Sequence, residues 1–173
     1  LIRPLDTNGI KGGYCDWSPN DEWLVFQGGP TEEPQVYLMP IRGGNPIRIS
    51  DPTLVGSART VAWSNNDENT LLYTGHPLQK KSYLAVVDTS GDNFSVVYEI
   101  NEKNELEWGS VPSWSPNEDK IVFCPSMRDS VIEIVSLEDY STTSLTTGVS
   151  PYFSPDGSTI SYIHENKVWV TDI

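Results

Sequence analysis

Residues 113–123 read Ser-Trp-Ser-Pro-Asn-Glu-Asp-Lys-Ile-Val-Phe, which is an aromatic residue, a polar turn and an apolar run in succession. Three further segments, 16–26, 62–73 and 152–162, follow the same order. Their shared serines lie 46, 51 and 39 residues apart along the chain. A repeat of ~40–50 residues is typical of a four-stranded propeller blade. The sequence therefore predicts four consecutive blades.

Each repeat contains the signals for a hairpin followed by two further strands. The Ser-Pro-Asn/Asp turn joins the first strand to the second, and Asp21 or Asp119 stands near the position that glycine takes in the last repeat. Third strands are predicted from apolar runs at 36–39, 83–87, 131–135 and 168–170. More polar fourth strands are predicted at 47–49, 95–98 and 143–146. No segment keeps an apolar period of 3.6 residues, so negligible helix is expected.

The whole chain is predicted to form one all-β propeller unit with four four-stranded blades. The predicted blades cover approximately 12–50, 59–99, 110–146 and 149–173, and a strand at 1–5 completes the last one. That strand is expected to pair with the strand around 168–172, because both would otherwise be unpaired edges. Three assemblies fit this pattern: a closed four-bladed ring, a homodimer whose half-rings make one eight-bladed ring, and an excerpt of a longer propeller.

Two residue types in the repeats have predicted structural roles. One aromatic residue per repeat is expected to pack between blades, and these are Trp17, Trp63, Trp114 and Phe153. Both cysteines, Cys15 and Cys124, lie in strand-like apolar stretches and are predicted to be small buried thiols.

The repeat Trp-Ser-Pro-Asn/Asp-Gly-x-x-Ile-x-Phe, followed by Val-Tyr-Leu-Met-Pro-Ile-Arg-Gly-Gly-Asn-Pro-Ile-Arg-Ile-Ser at 36–50, resembles that of TolB-like β-propellers. The propeller of prolyl-oligopeptidase-type enzymes has a similar repeat. The second repeat departs from the pattern, since Asn65 replaces proline. This resemblance implies a propeller fold and a bacterial role in the periplasm or at the cell surface. It gives the Ser-Pro-Asp-Gly residues a structural role only.

The charge balance excludes one large class of partner. Lys and Arg number 11 against 24 Asp and Glu, which gives a formal net charge of −13. A nucleic-acid binder needs a basic stripe, and the few cations here are interspersed with carboxylates. No apolar run approaches the ~18 residues of a membrane helix. Neither a nucleic-acid partner nor membrane insertion is predicted.

The sequence lacks the usual signals of a catalytic or metal site. It has no Gly-x-Ser-x-Gly elbow, and His76 and His164 are the only histidines. Both histidines follow the second strand of a repeat and should emerge on one face of the ring. A metal site needs three or four converging ligands, so neither a metal nor another cofactor is predicted. The carboxylates of the first turns should make the other face acidic; they are Asp21, Glu22, Asp67, Glu68, Glu118, Asp119 and Asp156.

Basic and aromatic residues gather on the face that carries the two histidines. They fall in loops between second and third strands or between blades, and they could recognise a carboxylate-bearing peptide or partner. The candidate binding residues are Arg59, His76, Lys80, Lys81, Trp108, Arg128 and His164.

The leading hypothesis is a non-catalytic propeller that binds or scaffolds a protein or peptide partner. It rests on the absence of a nucleophile–base pair and on the TolB resemblance, which implies a periplasmic or cell-surface location. The alternative is the propeller part of an enzyme. That enzyme would be a prolyl-oligopeptidase-like peptidase whose catalytic domain lies outside this chain, or a metal-dependent sugar lyase.

Overall fold

A computed structural model describes residues 4–50, 56–77, 81–99, 111–126 and 129–173. The described residues form fifteen strands and no helix, which confirms the predicted all-β class. The chain divides into two compact units, one of residues 1–80 with 85–95 and one of residues 81–84 with 96–173.

The strands form four antiparallel sheets in chain order, each a simple meander. Sheet 1 contains β1 (Gly12–Trp17), β2 (Trp23–Gly28), β3 (Gln35–Pro40) and β4 (Ile47–Arg48). Sheet 2 contains β5 (Ser57–Trp63), β6 (Thr70–His76), β7 (Tyr83–Asp88) and β8 (Ser95–Glu99). Sheet 3 contains β9 (Ser113–Trp114), β10 (Lys120–Phe123), β11 (Val131–Ser136) and β12 (Thr142–Thr147). Sheet 4 has three strands, β13 (Val149–Phe153), β14 (Thr159–His164) and β15 (Lys167–Asp172).

The predicted closing strand at 1–5 falls largely outside the described residues, which begin at Pro4. Pro4 and Leu5 belong to no strand. The pairing of this segment with 168–172 stays a prediction.

The repeated serine closes the turn between the first two strands of each sheet. In sheet 3 the Ser115 amide donates to the Lys120 carbonyl at 2.9 Å, and the Lys120 amide donates to Ser115 Oγ at 2.9 Å. In sheet 4 the pair Ser154 and Thr159 repeats both bonds, at 2.9 and 3.0 Å. These bonds satisfy backbone groups that the turn would leave unpaired, which explains why serine recurs at this position.

The left-handed position of this turn falls on Glu118 in sheet 3, next to Asp119, which the sequence placed near it. Its φ is +59°, and Asp21 in sheet 1 has φ +58°. In sheet 4 the same position is Gly157, with φ +74°. A side chain in this conformation costs roughly 1–2 kcal/mol, which glycine avoids. The repeat therefore keeps its turn geometry in sheets 1 and 3 at some cost in stability.

The two versions of this turn give a paired prediction. Gly157→Ala should lower the free energy of unfolding by ~1–2 kcal/mol, because the added Cβ would also lie 3.3 Å from Pro116 Cδ. Glu118→Gly should raise it by ~0.5–1 kcal/mol. Glycine removes the backbone strain of the folded state, and this gain exceeds the cost of the larger conformational entropy that glycine gives the unfolded chain. Urea unfolding of both variants measures these changes. Equal signs for the two substitutions would contradict the assignment of the strained position.

Each sheet has one face that carries the repeated aromatic residue, here called the aromatic face. Residues opposite each other on neighbouring antiparallel strands share a face. Each repeated aromatic residue pairs with an aliphatic residue of the next strand, and a second aromatic residue lies two positions further along that strand on the same face. These triads are Trp17, Leu24 and Phe26; Trp63, Leu71 and Tyr73; Trp114, Ile121 and Phe123; and Phe153, Ile160 and Tyr162.

Contact between sheets 3 and 4 forms the core of the second unit. Ile160 and Tyr162, on the aromatic face of sheet 4, cluster with Val122, Ile132 and Ile134, on the opposite face of sheet 3. Phe153 packs against the same cluster. Sheets 3 and 4 therefore stack with the aromatic face of one on the opposite face of the other.

Trp17 departs from the predicted packing of the aromatic residues. Trp63 and Trp114 are 3% and 5% exposed, as packing between blades requires, whereas Trp17 is 54% exposed. The same position in the repeat is thus a core residue in sheets 2 and 3 and a surface residue in sheet 1.

Candidate functional site

One end of the β5–β6 ladder carries a polar group of four residues on a single face. The register pairs Ser57 with His76 and Arg59 with Thr74. Ser57 and Thr74 are buried, and Arg59 and His76 are half-buried. A bulge between Arg59 and Val61 shifts the register. Here Thr60 Oγ1 lies 2.9 Å from Thr74 Oγ1 in a buried hydroxyl pair.

The electrostatics of this group depend on Arg59 and His76. Burial, and to a smaller extent the positive charge of Arg59, lower the pKa of His76 to about 4. Burial also lowers the pKa of Arg59, but a guanidinium stays protonated near neutral pH. The site thus presents a fixed positive charge beside a neutral imidazole. Arg59 Nε points towards Ser57 Oγ at 3.5 Å.

The structure describes only some of the other predicted binding residues. Lys80, Trp108 and Arg128 lie outside the described residues. Lys81 is exposed, and its Nζ lies 3.5 Å from Glu99 Oε2. A surface ion pair of this kind contributes little stability. Lys81 is therefore engaged with a carboxylate of its own unit.

His164 ends β14 in the second unit, as His76 ends β6 in the first. Its Nε2 lies 3.9 Å from Glu165 Oε1. Its ring meets Trp169 edge-on at a centroid distance of 6.2 Å, and its carbonyl accepts a hydrogen bond from Trp169 Nε1 at 3.1 Å. The predicted position at the end of a second strand is thus confirmed for both histidines. The structure places Arg59 next to His76, while His164 belongs to a different local cluster.

Three of the seven carboxylates of the first turns accept hydrogen bonds from their own turns; these are Asp67, Asp119 and Asp156. Ser154 is the main cause that lowers the pKa of Asp156 to about 2. Bonds from Thr70 and Asn69 lower the pKa of Asp67, and Lys120 lowers that of Asp119. Within the described ranges, no three His, Cys, Asp or Glu side chains come together as a metal would need.

The two cysteines differ in environment, contrary to the prediction that both are buried. Cys124 is fully buried, and burial raises the pKa of its thiol to about 11. Cys15 lies in β1 and is exposed. The two do not form a disulfide.

Sequence analysis did not find Ser57, Thr60 and Thr74 as partners of Arg59 and His76. The three are small hydroxyl residues in a strand, a pattern that is ordinary for β-structure. Only the register and the bulge of the β5–β6 ladder bring them together. Asp16 was missed for the same reason: its Oδ2 accepts the Trp63 amide of the next sheet at 2.8 Å.

The sheets define the class of the protein, a β-propeller, and the solved structures that resemble it include TolB proteins. A protein assigned as TolB from Agrobacterium tumefaciens has a TM-score of 0.74 and 18% identity, over 94% of this chain and 58% of that one. TolB from Acinetobacter baumannii has a TM-score of 0.72 and 17% identity, over 95% of this chain and 41% of that one. An oligogalacturonate lyase in complex with manganese has a TM-score of 0.65 and 14% identity, over 88% and 47%.

Because the identities are 18% or lower, these comparisons show the fold and nothing beyond it. The chain spans about half the length of these three proteins, from 41% to 58%. No protein-family model and no curated protein matches the chain. Among the described residues, no helix has the length and apolar character required to cross a membrane.

Proposed function

We propose that this chain is a non-catalytic propeller domain that binds a carboxylate-bearing peptide or protein partner at the β5–β6 end. The observation that carries the proposal is the half-buried Arg59 beside a neutral His76. A guanidinium recognises a carboxylate through two parallel N–H donors. Partial burial strengthens such a charge-assisted bond, because water competes less for the donors.

The neighbouring side chains suit recognition of an anion more than chemistry on it. A neutral imidazole offers one donor and one acceptor and adds no second positive charge. The hydroxyls of Thr60 and Thr74 hydrogen-bond to each other, and a hydroxyl partner of this kind does not activate a nucleophile as a base would. The net charge of −13 repels anions over most of the surface, so binding of a carboxylate needs a local cation such as Arg59.

The TolB resemblance supports the same class of function and a location in the periplasm or at the cell surface. It does so as an analogy, because one fold hosts many functions. The enzymatic alternatives, a peptidase propeller or a metal-dependent sugar lyase, stay predictions. No cofactor is part of the proposed function.

A binding assay with matched peptide pools tests this proposal. The probe is a labelled pool of short peptides with Asp, Glu and a free C-terminus, compared with a pool in which these carboxylates are amides. We expect the chain to bind only the first pool, as measured by fluorescence anisotropy. Arg59→Gln should weaken that binding by at least about tenfold, which corresponds to ~1.4 kcal/mol.

Arg48→Gln is the matched control, since Arg48 is an exposed arginine of the same unit whose Nε donates to the Ser50 carbonyl at 3.1 Å. It should change the affinity less than about twofold. Equal binding of the two pools, or equal losses in the Arg48 and Arg59 variants, would contradict recognition at this site.

A further inference from the structure

A buried glutamine, Gln35, begins β3 and is 6% exposed. Its amide nitrogen Nε2 donates to the Gly56 carbonyl at 3.2 Å and to the Glu33 carbonyl at 3.4 Å. Its Oε1 accepts a hydrogen bond from Ser50 Oγ at 2.7 Å. Ser50 and Gly56 are the residues on either side of 51–55, which lies outside the described residues. Gln35 therefore holds both flanks of the segment that leads from sheet 1 to sheet 2.

The hydrogen bonds of Gln35 continue into the backbone of β3. Ser50 is 2% exposed, and its Oγ accepts a hydrogen bond from the Val36 amide at 3.1 Å. The orientation of the Gln35 amide is fixed, because its two carbonyl partners can only accept and Nε2 carries its two donors. Breaking such buried hydrogen bonds is costly, since the groups left behind lose their partners away from water.

The same bonds reach the strand that carries the polar group of the candidate site. Gly56, whose carbonyl accepts from the glutamine, directly precedes Ser57. On the other side of Ser57, the Ala58 amide donates to the Pro34 carbonyl at 2.7 Å. The backbone of β5 is thus held on both sides of the point where the polar group begins. That group consists of Ser57, Arg59, Thr74 and His76.

The backbone bond between these sheets belongs to the repeat. Gly148 donates to the Ser130 carbonyl between sheets 3 and 4. Ser130 directly precedes β11 as Pro34 directly precedes β3. Gly148 and Ala58 lie equally far before the repeated aromatic residue of their sheets. This bond alone therefore does not distinguish the junction that carries the polar group.

The side-chain bonds of Gln35 do distinguish it. Val131 begins β11 as Gln35 begins β3, and a valine side chain has no hydrogen bond to offer. Val149, which pairs with Ile163, stands at the position of Arg59. Of these two described junctions, one has both the glutamine and the arginine, and the other has apolar residues at both positions.

We propose that Gln35 is a positioning residue for this polar group: it fixes the start of β5, so that Arg59 keeps its place beside His76. The inference rests on the proposed function, since the polar group is the one that would bind the carboxylate. Side chains that are held in place before binding lose less conformational freedom when the ligand arrives. Gln35 should therefore affect affinity without touching the ligand.

The first test needs no ligand and follows the His76 imidazole by NMR between about pH 7 and about pH 5. In the unchanged chain its signals should stay nearly constant, because its pKa is about 4. Gln35→Met keeps the approximate size of the side chain and removes its hydrogen bonds. We expect the signals of this variant to move in the same range, because a less firmly held group admits water and its pKa rises towards 6.5. His76→Gln identifies the signals.

The second test is the binding assay with the two peptide pools. Gln35→Met should bind the carboxylate pool at least about fivefold more weakly than the unchanged chain. Ser50→Ala removes one partner of the same amide, so it should act in the same direction with a smaller effect. Both variants are compared at a protein concentration and pH where circular dichroism shows that they are folded.

Ser18→Ala is the matched control, because it also removes a buried hydrogen bond from sheet 1. Ser18 is 2% exposed, and its Oγ accepts a hydrogen bond from the Trp23 amide at 2.9 Å. It lies at the opposite end of the sheet from Gln35. Ser18→Ala should lower the midpoint of urea unfolding, leave the His76 signals unchanged and change the affinity less than about twofold.

A folded Gln35→Met variant that keeps the His76 titration of the unchanged chain overturns the proposal, and so does one that binds the carboxylate pool as tightly. Equal losses of affinity in Ser18→Ala and Gln35→Met overturn it as well. If Gln35→Met does not fold, Ser50→Ala decides by the same criteria. If the unchanged chain binds neither pool, the proposed function fails, and the titration by itself decides whether Gln35 positions the polar group.

Discussion

Replacing Trp63 by alanine is expected to lower the free energy of unfolding by about 3–5 kcal/mol. Trp63 is 3% exposed, so its removal leaves a large cavity beside Leu71 that the sheets cannot fill without repacking. Its Nε1 also donates to the Glu68 carbonyl at 3.2 Å, and alanine loses that bond. Urea unfolding followed by circular dichroism measures the change.

Trp17→Ala is the matched control, because the residue type and the position in the repeat are the same. Trp17 is 54% exposed, so the loss should stay below ~1 kcal/mol. Trp63→Phe should recover part of the stability by refilling the cavity without the indole hydrogen bond. Similar losses in Trp17→Ala and Trp63→Ala would show that the two positions are equally buried, against the structure.

The order of strands could be predicted from the sequence because its signals are local. The apolar run at 131–135 falls within β11, Val131–Ser136, and the more polar run at 143–146 falls within β12, Thr142–Thr147. Strand alternation and turn chemistry act over a few residues, so four copies of one pattern reinforce each other.

The burial of individual residues of the repeat could not be predicted in this way. Trp17 and Trp63 have the same position in the repeat, and each is followed by serine. Their exposure differs with what covers them. That cover comes from residues far away in sequence, and a repeat protein buries each unit only against the next one. Cys15 is exposed as well, and the sequence of its strand does not indicate this.

The candidate site was predictable in part. The position of His76 at the end of a second strand followed from the apolar run before it, and Arg59 was selected for its charge. Their proximity depends on the antiparallel register and on a bulge at one residue. A shift of one residue would have turned Arg59 to the other face of the sheet. No local signal in the sequence fixes that register.

The low pKa of His76 gives a prediction on pH and stability. In the unfolded chain the imidazole has its ordinary pKa of 6.5, and in the fold its pKa is about 4. The fold therefore favours the neutral form. The contribution of the neutral His76 to the free energy of unfolding is fully present above pH 6.5. It is lost as the pH falls from 6.5 towards 4, because in this range the imidazole is protonated in the unfolded chain and neutral in the folded chain.

Between pH 7 and pH 5 this residue should lower the free energy of unfolding by ~2 kcal/mol. Asp88 and Asp156, whose pKa values are lowered to about 2, stay ionised over this range and do not obscure the effect. Urea unfolding at both pH values measures the loss in the unchanged chain and in His76→Gln, which should lose ~2 kcal/mol less. Arg59→Gln should keep most of the dependence, because burial lowers the pKa of His76 more than the charge of Arg59 does. If His76→Gln and the unchanged chain lose equal stability, the imidazole is not held neutral by the fold, and the electrostatic basis of the carboxylate site fails with it.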